Sequence, residues 1–211
     1  MKKIVSFLYS ILRKIWKRKK PLKNQPFHRI YRYKGPSPVA PPSLKQKKQI
    51  EKFKMTTKLL KPMFEFLPVT YRNVSGRATA RSKAFSYNIR NAIKGEFPNL
   101  TIDHEAVKVS KGNLYNSSSS TAYVSERKIH FNGKNLQINN ANDDDIAVLI
   151  AYCPERQKCV YNLTGPKREE EKAVLDVKQF KNQEVHTYLS FVSANGNLVA
   201  DSKYTGRFII K

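Results

Sequence analysis

The stretch Phe27-His28-Arg29-Ile30-Tyr31-Arg32-Tyr33-Lys34 interleaves rings with cations. Rings that stack on bases, set beside cations that meet phosphates, are what single-strand nucleic-acid binding requires. Upstream lies the cationic run Lys17, Arg18, Lys19 and Lys20, followed by Lys23. With Arg29, Tyr31, Arg32, Tyr33 and Lys34 these are the candidate nucleic-acid contacts. Phosphate neutralisation would supply their affinity, largely without regard to base sequence. The same stretch reads equally well as an edge strand or as a strap across a domain.

A second chemistry is available further upstream. On a helical wheel Ile4, Val5, Phe7, Leu8, Ile11, Leu12, Ile15 and Trp16 share one half, while Ser6, Tyr9, Ser10, Arg13, Lys14 and Lys17 fill most of the other. Phe7, Leu8, Ile11, Leu12, Ile15 and Trp16 are therefore the candidate membrane contacts. They would lie among acyl chains with Lys and Arg on anionic head groups. The competing reading is a helix docked on its own domain or on a partner. Lys2-Lys3 before an apolar stretch imitates a signal peptide, but Arg13-Lys14 cut it short and no small-residue cleavage site follows. A stretch this short cannot cross a bilayer, which takes about 20 apolar residues.

The remaining polar clusters offer less. Asn139-Asn140-Ala141-Asn142-Asp143-Asp144-Asp145 is rich in oxygen ligands but lacks the alternating positions and distal Glu of a calcium loop, so it reads as a turn into a strand. Glu169-Glu170-Glu171 reads as a solvated loop. His28, His104, His130 and His186 are scattered without ligand spacing, and no metal site is expected. Cys153 and Cys159 flank a polar turn that could bring their sulfurs together across a hairpin, and free thiols are the expectation. The chain has only eight glycines, with no phosphate-cradling loop, Gly-x-Ser-x-Gly elbow or His-Glu-x-x-His helix. No catalytic residue, cofactor or small-molecule substrate is expected, and the chain does not read as an enzyme.

The elements that must carry these groups divide by charge. Residues 1–61 hold 19 Lys/Arg against Glu51 alone, a net +18, whereas residues 62–211 hold 21 against 15, a net +6. Four regions follow: a basic amphipathic helix over 1–20, a Pro-rich basic linker over 21–42, a helical region over 43–101 and a β-sandwich domain over 102–211. Ser43 is placed to cap a helix over 43–67 whose stripe is Ile50, Phe53, Leu60, Phe64 and Leu67, with Pro62 kinking or restarting it. A further helix spans 78–94, with Phe85, Ile89, Ala92 and Ile93 inward and Gly95 as its terminator. The gap between these helices is too long for a helix-turn-helix. From about residue 102 the period becomes two, with strands at 105–109, 121–131, 135–139, 146–152, 158–163, 172–178, 184–193 and 204–210. The fold class is therefore α+β, two to three N-terminal helices followed by an antiparallel immunoglobulin- or fibronectin-like sandwich.

An ordered series of segments carries a resemblance. It runs from Gln46–Phe53 through Ala84–Ile93 to Pro98, then Asp103, Val107 and Ser110–Leu114. Asp143–Asp145, Val148–Tyr152 and Pro154-Glu155 follow, then Val185–Phe191 and Tyr204–Ile210. From Ser43 onward the chain resembles a family of uncharacterised proteins, a domain of unknown function found mostly in Bacteroidetes-type bacteria. The resemblance implies the same helices-then-sandwich order and supplies no activity. Family members open on a glycine-rich stretch, which the basic segment 1–20 replaces here.

These readings converge on a non-enzymatic binding or structural protein whose N-terminal arm engages a polyanion, nucleic acid first. The alternatives are a peripheral membrane protein held by helix 4–20, or a virion or assembly component packed on protein neighbours. The expected location is cytoplasmic, membrane-peripheral on the cytoplasmic side, or within a virion, without secretion through a cleaved signal peptide.

Overall fold

The runs Ile146–Cys153 and Glu184–Val192 hold almost no exposed residue, the mark of strands covered on both faces. They form the centre of the protein. In this computed structural model residues 41–134 and 140–211 are described; the helix read over 4–20, the linker up to residue 40 and the strand read at 135–139 lie outside them. Residues 42–211 make one compact unit.

That unit opens with α1 (Leu44–Leu60), a 3-10 turn (Lys61–Met63), α2 (Leu67–Thr70) and α3 (Ala80–Asn91). Nine strands follow among the described residues: β1 (Ile93–Glu96), β2 (Asn99–Ile102), β3 (Ser120–Ser125), β4 (Lys128–Gly133), β5 (Ile146–Cys153), β6 (Lys158–Asn162), β7 (Lys172–Asp176), β8 (Glu184–Val192) and β9 (Lys203–Ile209). β1 and β2 make a hairpin, β3-β4-β7 a three-stranded sheet and β6-β5-β8-β9 a four-stranded one, all antiparallel.

The four-stranded sheet is a middle layer. One face presents Val148, Ile150, Tyr152, Tyr188 and Val192 to Leu59, Leu60, Met63, Phe66, Leu67 and Tyr71 of the helical layer. Its other face presents Ala147, Leu149, Ala151, Leu189 and Phe191 to Ile129, Phe131, Ala173 and Leu175 of the three-stranded sheet. The α+β sandwich expected from the sequence is thus present. Its fourth strand, β6, pairs with β5 and not with β7, which is the fibronectin-like strand order and differs from that of an immunoglobulin constant domain.

Several details differ from the sequence reading, each for a local reason. Residues 105–109 are no strand: Val107 and Val109 are buried, but the backbone here bonds side chains instead of a ladder. Tyr71 Oη and Asn88 Nδ2 donate to Lys108 O at 2.8 and 2.9 Å, Thr70 Oγ1 donates to Val109 O at 2.9 Å, and Val109 N donates to Ser202 Oγ at 2.9 Å. This strap fastens the helices to the sheet. The run read as one strand over 121–131 is two, β3 and β4, joined at Glu126 and Arg127 with φ of 49° and 58°. Two consecutive positive φ values are the hairpin geometry that Asn-Gly usually supplies, so Glu-Arg conceals the turn.

The helix read to residue 94 ends at Asn91, because Ile93 begins pairing with Ile102. Gly95 does not terminate that helix but lies within β1 opposite Leu100, beside the turn at Phe97-Pro98: at φ +84° its missing side chain would lie 2.5 Å from Asn99 O. Cys159 pairs in register with Tyr152, and Cys153 with Lys158. The two sulfurs therefore lie on opposite faces of the sheet, and both cysteines are free. Ile50 and Phe53 are not core residues, being 45% and 55% exposed. Leu60 and Leu67 are buried as read and Phe64 is packed against the core; Thr56, Leu59, Met63 and Phe66 complete the inward stripe, because the first half of α1 stands clear of the core.

Candidate polyanion-binding surface

α1 begins well. Ser43 Oγ accepts from Gln46 N at 3.3 Å while Gln46 Oε1 accepts from Ser43 N at 2.8 Å, a complete capping box. Lys58 in the last turn suits the helix dipole, but the charges of the helix's N-terminal end are badly placed for its stability. No acid occupies the first turn, where the helix dipole is positive, and Lys45 and Lys47 stand there instead. Lys45–Lys48, Lys48–Lys52, Lys54–Lys58 and Lys58–Lys61 are like-charge neighbours three or four residues apart, each unfavourable by roughly 0.2–0.5 kcal/mol. Glu51 sits 3.8 Å from Lys54 in an exposed pair and offsets little of this.

Several lysines elsewhere are occupied. Lys108 and Lys111 both lie 3.8 Å from Asp201, Lys178 lies 3.3 Å from Asp176, and Lys94 pairs with Asp103. Lys83 and Lys203 donate to backbone carbonyls. Of the seven lysines from Lys45 to Lys61, Lys54 alone has an ion pair among the described residues. They flank an exposed apolar strip: Ile50 and Phe53, with the Phe53 ring centroid 4.5 Å from that of Phe85 on α3 and tilted by 49°. Leu44, 73% exposed, lies two and a half turns from Phe53 and so on the opposite side of the helix.

Two buried polar clusters also stand out. His104, on the strap, stacks on His186 of β8 with ring centroids 3.5 Å apart and planes 9° from parallel. Their Nδ1 atoms lie 3.2 and 3.1 Å from the hydroxyls of Tyr188 and Tyr204, and His186 Nε2 is 3.4 Å from Glu184. Burial pushes both imidazoles down to about 4, aided by the neighbouring ring for His104 and by Arg207 for His186. The same burial raises the Tyr152 hydroxyl to about 12. Separately, Arg168 and Asp145 are paired inside the protein, Nε and Nη2 each 3.0 Å from Oδ2, with the guanidinium 3.8 Å over the Phe191 ring and Nη2 donating to Tyr115 O. Asp145 Oδ2 also accepts from Asn142 N at 3.0 Å, so the acidic loop closes on arginine. Both clusters hold layers together. Among the described residues no group of three His, Cys, Asp or Glu side chains could hold a metal, and no helix is long and apolar enough to cross a membrane.

Of the residues singled out from sequence, Lys17, Arg18, Lys19, Lys20, Lys23, Arg29, Tyr31, Arg32, Tyr33 and Lys34 lie outside the described residues, as do Phe7, Leu8, Ile11, Leu12, Ile15 and Trp16. The lysines of α1 continue the same charge into the described protein. A model of the family of unknown function DUF6266 matches residues 28–206. The chain belongs to this family. The DUF6266 match starts earlier than Ser43, so His28–Lys34 fall within the family region. Searches of curated proteins and of solved structures found no match.

Sequence reading missed the histidine stack and the Arg168–Asp145 pair. His104 and His186 are 82 positions apart, and Arg168 looks like one more charge beside Lys167. The lysines of α1 are legible as a crowd, but nothing in their order shows that Lys54 alone is ion-paired among the described residues.

Proposed function

We propose that this protein is a non-enzymatic binding protein whose cationic N-terminal region, from the arm through α1, engages a polyanion, nucleic acid before others. The observation that supports this reading is the charge arrangement of α1. Seven lysines crowd α1 and its C-cap, four pairs of them as like-charge neighbours, and one is ion-paired among the described residues, while Lys83, Lys108, Lys111 and Lys178 elsewhere are bonded. A polyanion relieves that repulsion on binding. The Bacteroidetes-type origin is inferred from the resemblance of segments alone.

The test is the salt dependence of binding to a fluorescent oligonucleotide by the full chain. If about six phosphates of a single strand are neutralised, affinity falls by around four decades for each tenfold rise in salt. Replacing Lys45, Lys48 and Lys52 by Gln lowers the slope by about one for each phosphate no longer neutralised. A shallow slope, unmoved by these changes, refutes the reading.

A further inference from the structure

Phosphate neutralisation gives the lysines a purpose but leaves Phe53 unexplained. A 55% exposed aromatic on a surface helix, resting on a second ring, is not there to fill the core. Its neighbours one turn away are Gln49, Ile50 and Thr57, and the adjacent positions are Lys52 and Lys54. Two rows of lysine flank this strip along the helix, Lys45–Lys48–Lys52 on one side and Lys47–Lys54–Lys61 on the other. The second row extends about 21 Å at 1.5 Å per residue.

An acyl-chain surface would ask for something else. A helix that lies in a lipid interface presents a broad apolar face on one side. Here Leu44 is on the far side from Phe53, and the exposed apolar strip of α1 narrows to Ile50 and Phe53. A single ring between rows of cations suits a ligand that alternates phosphate with flat apolar groups. Base–aromatic stacking tolerates any base, because every base has a π-face, and needs bases that are not already paired.

We propose that Phe53, supported from behind by Phe85, is a stacking site for an unpaired base, so that the polyanion met by α1 is single-stranded nucleic acid. This rests on the polyanion reading above. The strand lays its backbone along the lysines and turns one base onto the free face of Phe53. Phe85 fixes the ring in place, which lowers the entropy lost on binding.

The experiment compares the full chain with Phe53→Ala and Phe53→Leu, after circular dichroism confirms that each is folded. Four probes are used: a 15-nucleotide oligothymidine, a duplex of equal length, inorganic polyphosphate, and phosphatidylglycerol vesicles. The expected result is a loss of oligothymidine affinity of about 5- to 150-fold in both variants, with polyphosphate binding unchanged. Equal oligothymidine binding by wild type and both variants overturns the stacking site while leaving the polyanion reading intact. Absence of binding to every anionic probe overturns that reading and the stacking site with it. Vesicle binding that Phe53→Leu preserves, without oligothymidine binding, assigns the strip to lipid and also overturns the proposal.

Discussion

Reversing one charge at the start of α1 should strengthen the helix and weaken the polyanion binding proposed for it. Lys45 stands in the first turn, against the positive end of the helix dipole and three residues from Lys48. Lys45→Glu replaces an unfavourable dipole interaction by a favourable one, each worth roughly 0.3–1 kcal/mol at low salt. It also turns the repulsion with Lys48 into attraction, a change of about 0.4–1 kcal/mol. The position is exposed, so solvent screening leaves a gain of about 1 kcal/mol at roughly 50 mM salt and less at about 500 mM. Because the first half of α1 stands away from the core, the gain should be local: about fivefold slower amide exchange over residues 47–52, with little change in the global unfolding midpoint. Oligonucleotide affinity should fall about tenfold at roughly 0.1 M salt, because one phosphate goes unneutralised. Faster exchange in the variant, or unchanged binding, would refute the argument that these lysines are held against the stability of their own helix.

Three further outcomes follow from the buried clusters. The imidazoles of His104 and His186 titrate at about 4 in the folded protein, below the ordinary value of 6.5, so the unfolded chain binds more protons between those limits. Stability is then complete above about pH 7 and lost as pH falls toward 4, by up to about 2 kcal/mol for each ring once solvent screening at the open side of the stack is allowed for. Urea midpoints at pH 7.5, 6 and 5 check this, and a flat profile that matches His104→Phe would refute it. Asp145→Ala leaves the Arg168 guanidinium uncompensated inside the protein and should cost about 3–5 kcal/mol, whereas Asp145→Leu with Arg168→Met should cost much less; chemical denaturation of the single and double variants decides. Cys159, half-buried with its thiol pushed well above the ordinary range, should react with a thiol reagent more slowly than in the unfolded protein; Cys153, fully buried on the opposite face, should resist until unfolding, and the two should form no bridge on oxidation.

What could be read in advance was whatever a local pattern controls. Ser43 announced a helix start, and the apolar runs at 146–152 and 184–193 announced the central strands to within a residue or two. The β3–β4 turn escaped because Glu126 and Arg127 adopt a conformation their side chains do not favour. The strap escaped because burial of Val107 and Val109 imitates a strand while its hydrogen bonds depend on residues far away, such as Ser202. The candidate surface was half legible. Composition shows the lysines of α1, but their scarcity of partners among the described residues and the exposure of Phe53 depend on how far the helix extends past the sheet.

The two-sided burial of the middle sheet also sets an order of events during synthesis. Leu59, Leu60, Met63 and Phe66 leave the ribosome long before the strands that cover them. β5 begins about 80 residues after them and β8 about 120, a delay on the order of ten seconds at ordinary translation rates. Through that interval the helical layer is an uncovered apolar surface on a nascent chain, dependent on chaperones or on its own solubility. The lysines of α1 need no strand to complete them. Their net charge repels other copies of the unfinished chain, and the polyanion proposed above could meet them before the fold exists.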